Sequence, residues 1–94
     1  MIKAIIIDDE PYCCEILAAM LEECCSEVEV SAICHNGVEG LTSIRQHSPD
    51  LVFLDVEMPK MNGFAMLEQM PTINFHLIFT TSYDQYGSVL LIIY

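Results

Sequence analysis

Apolar positions along the chain change their period several times, and each change marks an element. Residues 2–7 are almost continuously apolar and rich in isoleucine, as in a strand buried on both faces. The run meets Asp8-Asp9-Glu10, and Pro11 then suits the first turn of a helix. Within that helix Cys13, Ile16, Leu17, Met20, Leu21 and Cys24 recur at three- and four-residue steps and predict its apolar face. Val28-Glu29-Val30-Ser31-Ala32-Ile33-Cys34 alternates, predicting a second strand of the kind found at a sheet edge. After Asn36-Gly37, residues Val38, Leu41 and Ile44 mark a second helix, ended by Ser48-Pro49. Leu51-Val52-Phe53-Leu54 predicts a third strand ending at Asp55, followed by a turn-rich loop over 58–63. Phe64, Leu67 and Met70 line a short third helix closed by Pro71, and His76-Leu77-Ile78-Phe79-Thr80-Thr81 is a fourth strand.

Strands alternating with helices predict a parallel sheet with helices on both faces, a three-layer α/β/α arrangement. Ligands of such sheets bind beyond the carboxyl ends of the strands. Asp8 and Asp9 follow the first strand, Asp55 ends the third, and Thr81 ends the fourth, so three carboxylates and a hydroxyl are expected at one rim. Clustered carboxylates repel one another unless a cation neutralises them. Mg²⁺ suits the set, because it uses few carboxylates and leaves positions for water and phosphate oxygens. An aspartate can attack phosphorus to form an acyl phosphate, and Thr81 could donate to a phosphoryl oxygen. Capping of the next helix would explain Asp8 or Asp9 alone, but not the whole constellation.

Charge and cysteine usage narrow the field. Fourteen acidic against three basic residues give a formal net charge of −11, which disfavours nucleic acid and anionic membranes as direct partners. No apolar run reaches the ~18 residues of a membrane-spanning helix. The apolar N-terminus is too short for a signal peptide and meets acids where a cleavage site should stand, so a cytoplasmic protein is expected. The thiols Cys13, Cys14, Cys24, Cys25 and Cys34 contain no C-x-x-C and no zinc spacing. They read as small core hydrophobes, with Cys13 and Cys24 on the apolar face of the first helix. His35, His47 and His76 share no motif and read as packing or surface residues.

The runs Ile5-Ile6-Ile7-Asp8-Asp9-Glu10-Pro11, Leu54-Asp55-Val56-Glu57-Met58-Pro59, Met61-Asn62-Gly63 and Phe79-Thr80-Thr81-Ser82 resemble the receiver domain of bacterial two-component response regulators. Thr80-Thr81-Ser82-Tyr83-Asp84 is similar to receivers that precede LytTR-type DNA-binding domains. The resemblance implies a flavodoxin-like receiver fold that is a phosphoacceptor in a phosphorelay, not an enzyme beyond self-phosphorylation and self-dephosphorylation. It implies that Asp55 takes a phosphoryl group from a histidine kinase. Asp9, Asp55 and the carbonyl of Glu57 would hold Mg²⁺, with Asp8 acting partly through water. Thr81 would be the switch hydroxyl, and Pro59 and Gly63 would shape the adjoining loop. A haloacid dehalogenase is a poorer match, because Asp55-Val56-Glu57 lacks the second Asp of that family's motif and lies mid-chain.

Receivers usually carry a lysine after a fifth strand, and neither Lys3 nor Lys60 fits that place. The resemblance ends near Tyr86, so a truncated receiver over 1–86, lacking the usual last helices, and an atypical hydrophobic tail over 87–94 are expected. With so short a link after Thr81, residues 89–94 would pair antiparallel, continue as a stub of helix, or cross to a partner subunit. An apolar tail beside an open strand edge suggests a homodimer. If the missing lysine breaks the switch, the alternative is a receiver-like dimerisation module that is not phosphorylated.

Overall fold

The computed structural model describes residues 1–80 and the backbone of Thr81 and of residues 90–93. Along the chain β1 (Ile2–Ile7), α1 (Pro11–Cys24), β2 (Val28–Cys34), α2 (Gly37–His47), β3 (Leu51–Asp55), α3 (Gly63–Glu68) and β4 (His76–Thr81) alternate as expected. The strands lie in the order β2-β1-β3-β4-β5, and the pairs among β1, β2, β3 and β4 are parallel. The last, β5 (Leu90–Ile93), pairs antiparallel with β4, from Thr81↔Leu90 to Ile78↔Ile93. Of the three courses open to the tail this is the first, and antiparallel pairing does not need the long crossover that a parallel fifth strand would.

Alternate residues of the buried strands feed two cores. Ile5, Ile7, Val52, Leu54, Leu77 and Phe79 meet Ile44 of α2 and Met66 of α3 on one side of the sheet. Ala4, Ile6 and Phe53 meet Cys14 and Leu21 of α1 on the other. Helices therefore cover both faces, and the three-layer α/β/α arrangement is the one observed. α2 comes close to β1 at Gly40, where a Cβ would stand 2.7 Å from Ile7 Cδ1. Its ends are defined locally. Asn36 accepts from the Glu39 N–H at 2.8 Å, and Ser48 adopts a left-handed φ of 45° before Pro49.

Leu17, Leu21, Leu41, Ile44, Leu67 and Met70 pack against the sheet as expected, but part of each expected face is turned away from it. In α1 the residues against the sheet are Cys14, Leu17, Ala18 and Leu21, while Ile16 and Met20 are exposed. Cys14 is buried, Cys13 half-buried and Cys24 exposed. Two apolar stripes run along this helix, and the one containing Ala18 presents the smaller side chains to the strands. Val38 and Phe64 likewise face outward, while Gly40 and Met66 face the sheet. None of the described helices is long and apolar enough to cross a membrane.

Candidate functional site

β1 and β3 are neighbours in parallel register, with Ile7 opposite Leu54, so their carboxyl ends emerge side by side. Asp8 continues β1 by one residue, its N–H donating to the Cys34 carbonyl at 3.0 Å. Asp55 ends β3 opposite Thr80 of β4. Carboxylate oxygens of Asp8, Asp9 and Asp55 consequently lie within 4.8 Å of one another. Asp8 and Asp55 are buried and Asp9 half-buried.

No lysine or arginine among the described residues pairs with this cluster. Burial, and then the charge of Asp8, push the Asp55 carboxyl up to about 7, against a hydrogen bond from the Glu57 N–H at 3.1 Å. Burial raises Asp8 as well, opposed by the Glu10 N–H, which donates to its Oδ1 at 2.9 Å. Two buried carboxyls that resist ionisation, with a third beside them, form a cluster of oxygens whose mutual repulsion a cation would relieve. The donor set is all hard oxygen, which fits Mg²⁺ and offers nothing to a thiophilic metal.

The loop after β3 is tied to the same point. The Val56 N–H donates to the Thr80 carbonyl and the Gly63 N–H to the Val56 carbonyl, each at 3.0 Å. Between them the Met61 N–H donates to the Pro59 carbonyl at 2.7 Å, around Lys60 with a φ of 67°. Met58 is buried in the core, and the Phe64 ring packs 4.9 Å from Phe79. A Cβ on Gly63 would fall 2.7 Å from the Asp55 carbonyl oxygen and 3.3 Å from Val56 Cα. Those atoms are backbone and cannot yield, so Gly63→Ala should destabilise the fold by about 2–3 kcal/mol. Urea unfolding checks this; an unchanged midpoint would mean that the loop is free to move off the strand.

Asp8, Asp9 and Asp55 are thus brought together as the sequence suggests. Glu57 is exposed, with its N–H on Asp55. Thr81 closes β4 one residue beyond the partner of Asp55, and its side chain lies outside the described residues. Residues 82–89, where the loop and part of the tail were expected, lie outside them too. Sequence reasoning passed over His35 and Cys14, both of which touch the Asp8 carbonyl. The signal was available: His35 follows β2 as Asp8 follows β1, and therefore reaches the same rim.

The response regulator receiver domain family matches residues 4–91, and the chain belongs to that family. Among its relatives, an uncharacterized response regulatory protein of Vibrio cholerae serotype O1 is 41% identical over 88 residues, which are 93% of this chain and 37% of that protein. Transcriptional regulatory protein BtsR of Escherichia coli (strain K12) is 38% identical over 88 residues, 93% of this chain and 36% of the relative. The chain spans little more than a third of the length of these proteins. Of solved structures, the response regulator domain of Thermotoga maritima CheB superposes with a TM-score of 0.78 at 22% identity, covering 94% of this chain and 66% of that one. The signal receiver domain of the response regulator NarL from Mycobacterium tuberculosis gives 0.77 at 23%, covering 89% and 68%. At these identities the likeness is one of fold, and the flavodoxin-like receiver fold expected from the sequence is the fold found.

Proposed function

We propose that the chain is a phosphoacceptor module of a two-component response regulator, with Asp55 as the acceptor. The observation that carries this is the convergence of Asp8, Asp9 and Asp55 within 4.8 Å at the carboxyl rim, with Asp55 buried and held by the Glu57 N–H. An Asp55 carboxylate oxygen attacks the phosphorus of a phosphohistidine on a histidine kinase. The new O–P bond gives an aspartyl phosphate, and the N–P bond breaks with its electron pair returning to the imidazole. Mg²⁺ held by Asp9, Asp55 and the Glu57 carbonyl, with Asp8 partly through water, would offset charge on the transferring group. Thr81 would donate its hydroxyl to a phosphoryl oxygen, and its place at the end of β4, beside the strand that carries Asp55, supports that role.

The relatives are about two and a half times as long, and one is named a transcriptional regulatory protein. A DNA-binding output of the LytTR type, acting in the cytoplasm, fits that name and the run at 80–84. A twofold dimer through residues 82–94 fits the apolar tail, with β5 as the last strand of the sheet. Light scattering on the whole chain and on one ending at Gln85 tests it; a monomer at micromolar concentration in both would remove the dimer from the reading. For the acceptor, mass spectrometry after acetyl phosphate treatment should show one added phosphoryl group with Mg²⁺ and none with a chelator. Equal uptake in both would remove the metal from the reaction.

A further inference from the structure

Asp8 is held at three points. Its N–H donates to the Cys34 carbonyl at 3.0 Å, and its Oδ1 accepts from the Glu10 N–H at 2.9 Å. Its carbonyl takes the Cys14 thiol at 3.4 Å and stands 3.2 Å from Nδ1 of His35. A carbonyl oxygen has no proton to give, so a hydrogen bond between the two has Nδ1 as its donor; the Cys14 sulfur lies 3.9 Å from the same nitrogen. Cys34 and His35 are consecutive, and between them they engage both peptide groups of Asp8. The carbonyl that His35 holds belongs to the peptide joining Asp8 to Asp9. Its plane sets where the Asp9 backbone begins, and so where the Asp9 carboxylate can reach.

We propose that His35 is a positioning residue for the acid pair: through Nδ1–H it fixes the Asp8–Asp9 peptide and thereby the geometry in which Asp9 meets Asp55. This rests on the reading of the rim as a cation site. His35 itself is exposed at the end of β2 and contributes little burial, so its effect falls on the site rather than on the core. Groups that orient metal ligands typically change affinity by about 10–100-fold when removed. A contact made through the main chain of one ligand should have a smaller effect, about 3–10-fold.

The test uses the whole chain, with Mg²⁺ as the probe, followed through the amide signals of Asp8 and Asp9. His35→Ala should weaken Mg²⁺ binding by about 3–10-fold with little change in melting temperature. In His35→Asn the side-chain N–H occupies the position of Nδ1–H, and affinity should return to within about twofold of the parent. His35→Gln reaches only the Nε2 position and should behave like His35→Ala. Nitrogen-15 spectra of the parent should show the proton on Nδ1 of the neutral ring. An alanine variant that binds Mg²⁺ like the parent, an asparagine variant no better than alanine, or a ring protonated on Nε2 would each overturn the role of His35 alone. A parent that binds no Mg²⁺ would overturn the cation reading of the rim and this role with it.

Discussion

Asp55→Asn should take up no phosphoryl group from acetyl phosphate and Mg²⁺, with labelling falling at least about a hundredfold, well within the losses that follow removal of a nucleophile. The side chain stands at the end of β3, between Asp8 on one side and Thr80 on the other. Asparagine has nearly the same volume and keeps an oxygen to accept from the Glu57 N–H, so the loop after β3 stays in place. What it loses is the anionic oxygen, because the amide lone pairs are delocalised and the charge is gone. The loss is therefore one of chemistry and not of folding, and an unchanged circular dichroism spectrum should accompany it. In the parent, the added group should be released by hydroxylamine, as an acyl phosphate is and a phosphothreonine is not. Full labelling of Asp55→Asn, stable to hydroxylamine, would move the acceptor to a hydroxyl such as that of Thr80 or Thr81.

The strands were legible because their boundaries are chemical. β1 runs from Ile2 until three acids interrupt it, and β4 fills the apolar stretch from His76 to Thr81. A continuous run leaves no choice of face, since both sides of a central strand are covered. The helices were legible in place and only partly in phase. In α1 the stripe through Cys13, Ile16 and Met20 is as apolar as the one through Cys14, Leu17 and Leu21. Periodicity identifies a helix but cannot choose between two apolar stripes. The choice falls to shape, here the small Ala18 and Cys14 against β1 and to glycine at position 40 in α2. The acid cluster was legible because the rule about strand ends depends on topology alone. His35 obeys the same rule. Its contact depends on where a single ring nitrogen points, and nothing in the pattern of residues specifies that.

Without a divalent cation, the fold should lose stability as pH rises from about 4 to about 7, on the order of 3 kcal/mol. In the folded chain Asp55 keeps its proton up to about 7, whereas its ordinary value is 3.8. Between those values the native state binds more protons than the unfolded state, so unfolding releases protons and stability falls with pH. Below the lower value both states are protonated and the contribution is fully present; above the upper value it is gone. Asp8 is raised in the same direction by burial and adds to the slope. Asp55→Asn cannot ionise, so it should flatten this part of the curve and leave the variant more stable than the parent at pH 8. Mg²⁺ should act in the opposite sense: it binds the native cluster only, competes with the protons there, and so should raise the melting temperature more at pH 8 than at pH 5. Asp9→Ala removes a ligand from the cluster and should lose most of that response. Thermal unfolding of parent and variants, with and without Mg²⁺ at the two pH values, reads all of this. If Asp9→Ala responded to Mg²⁺ as the parent does, Asp9 would not be a ligand of the ion.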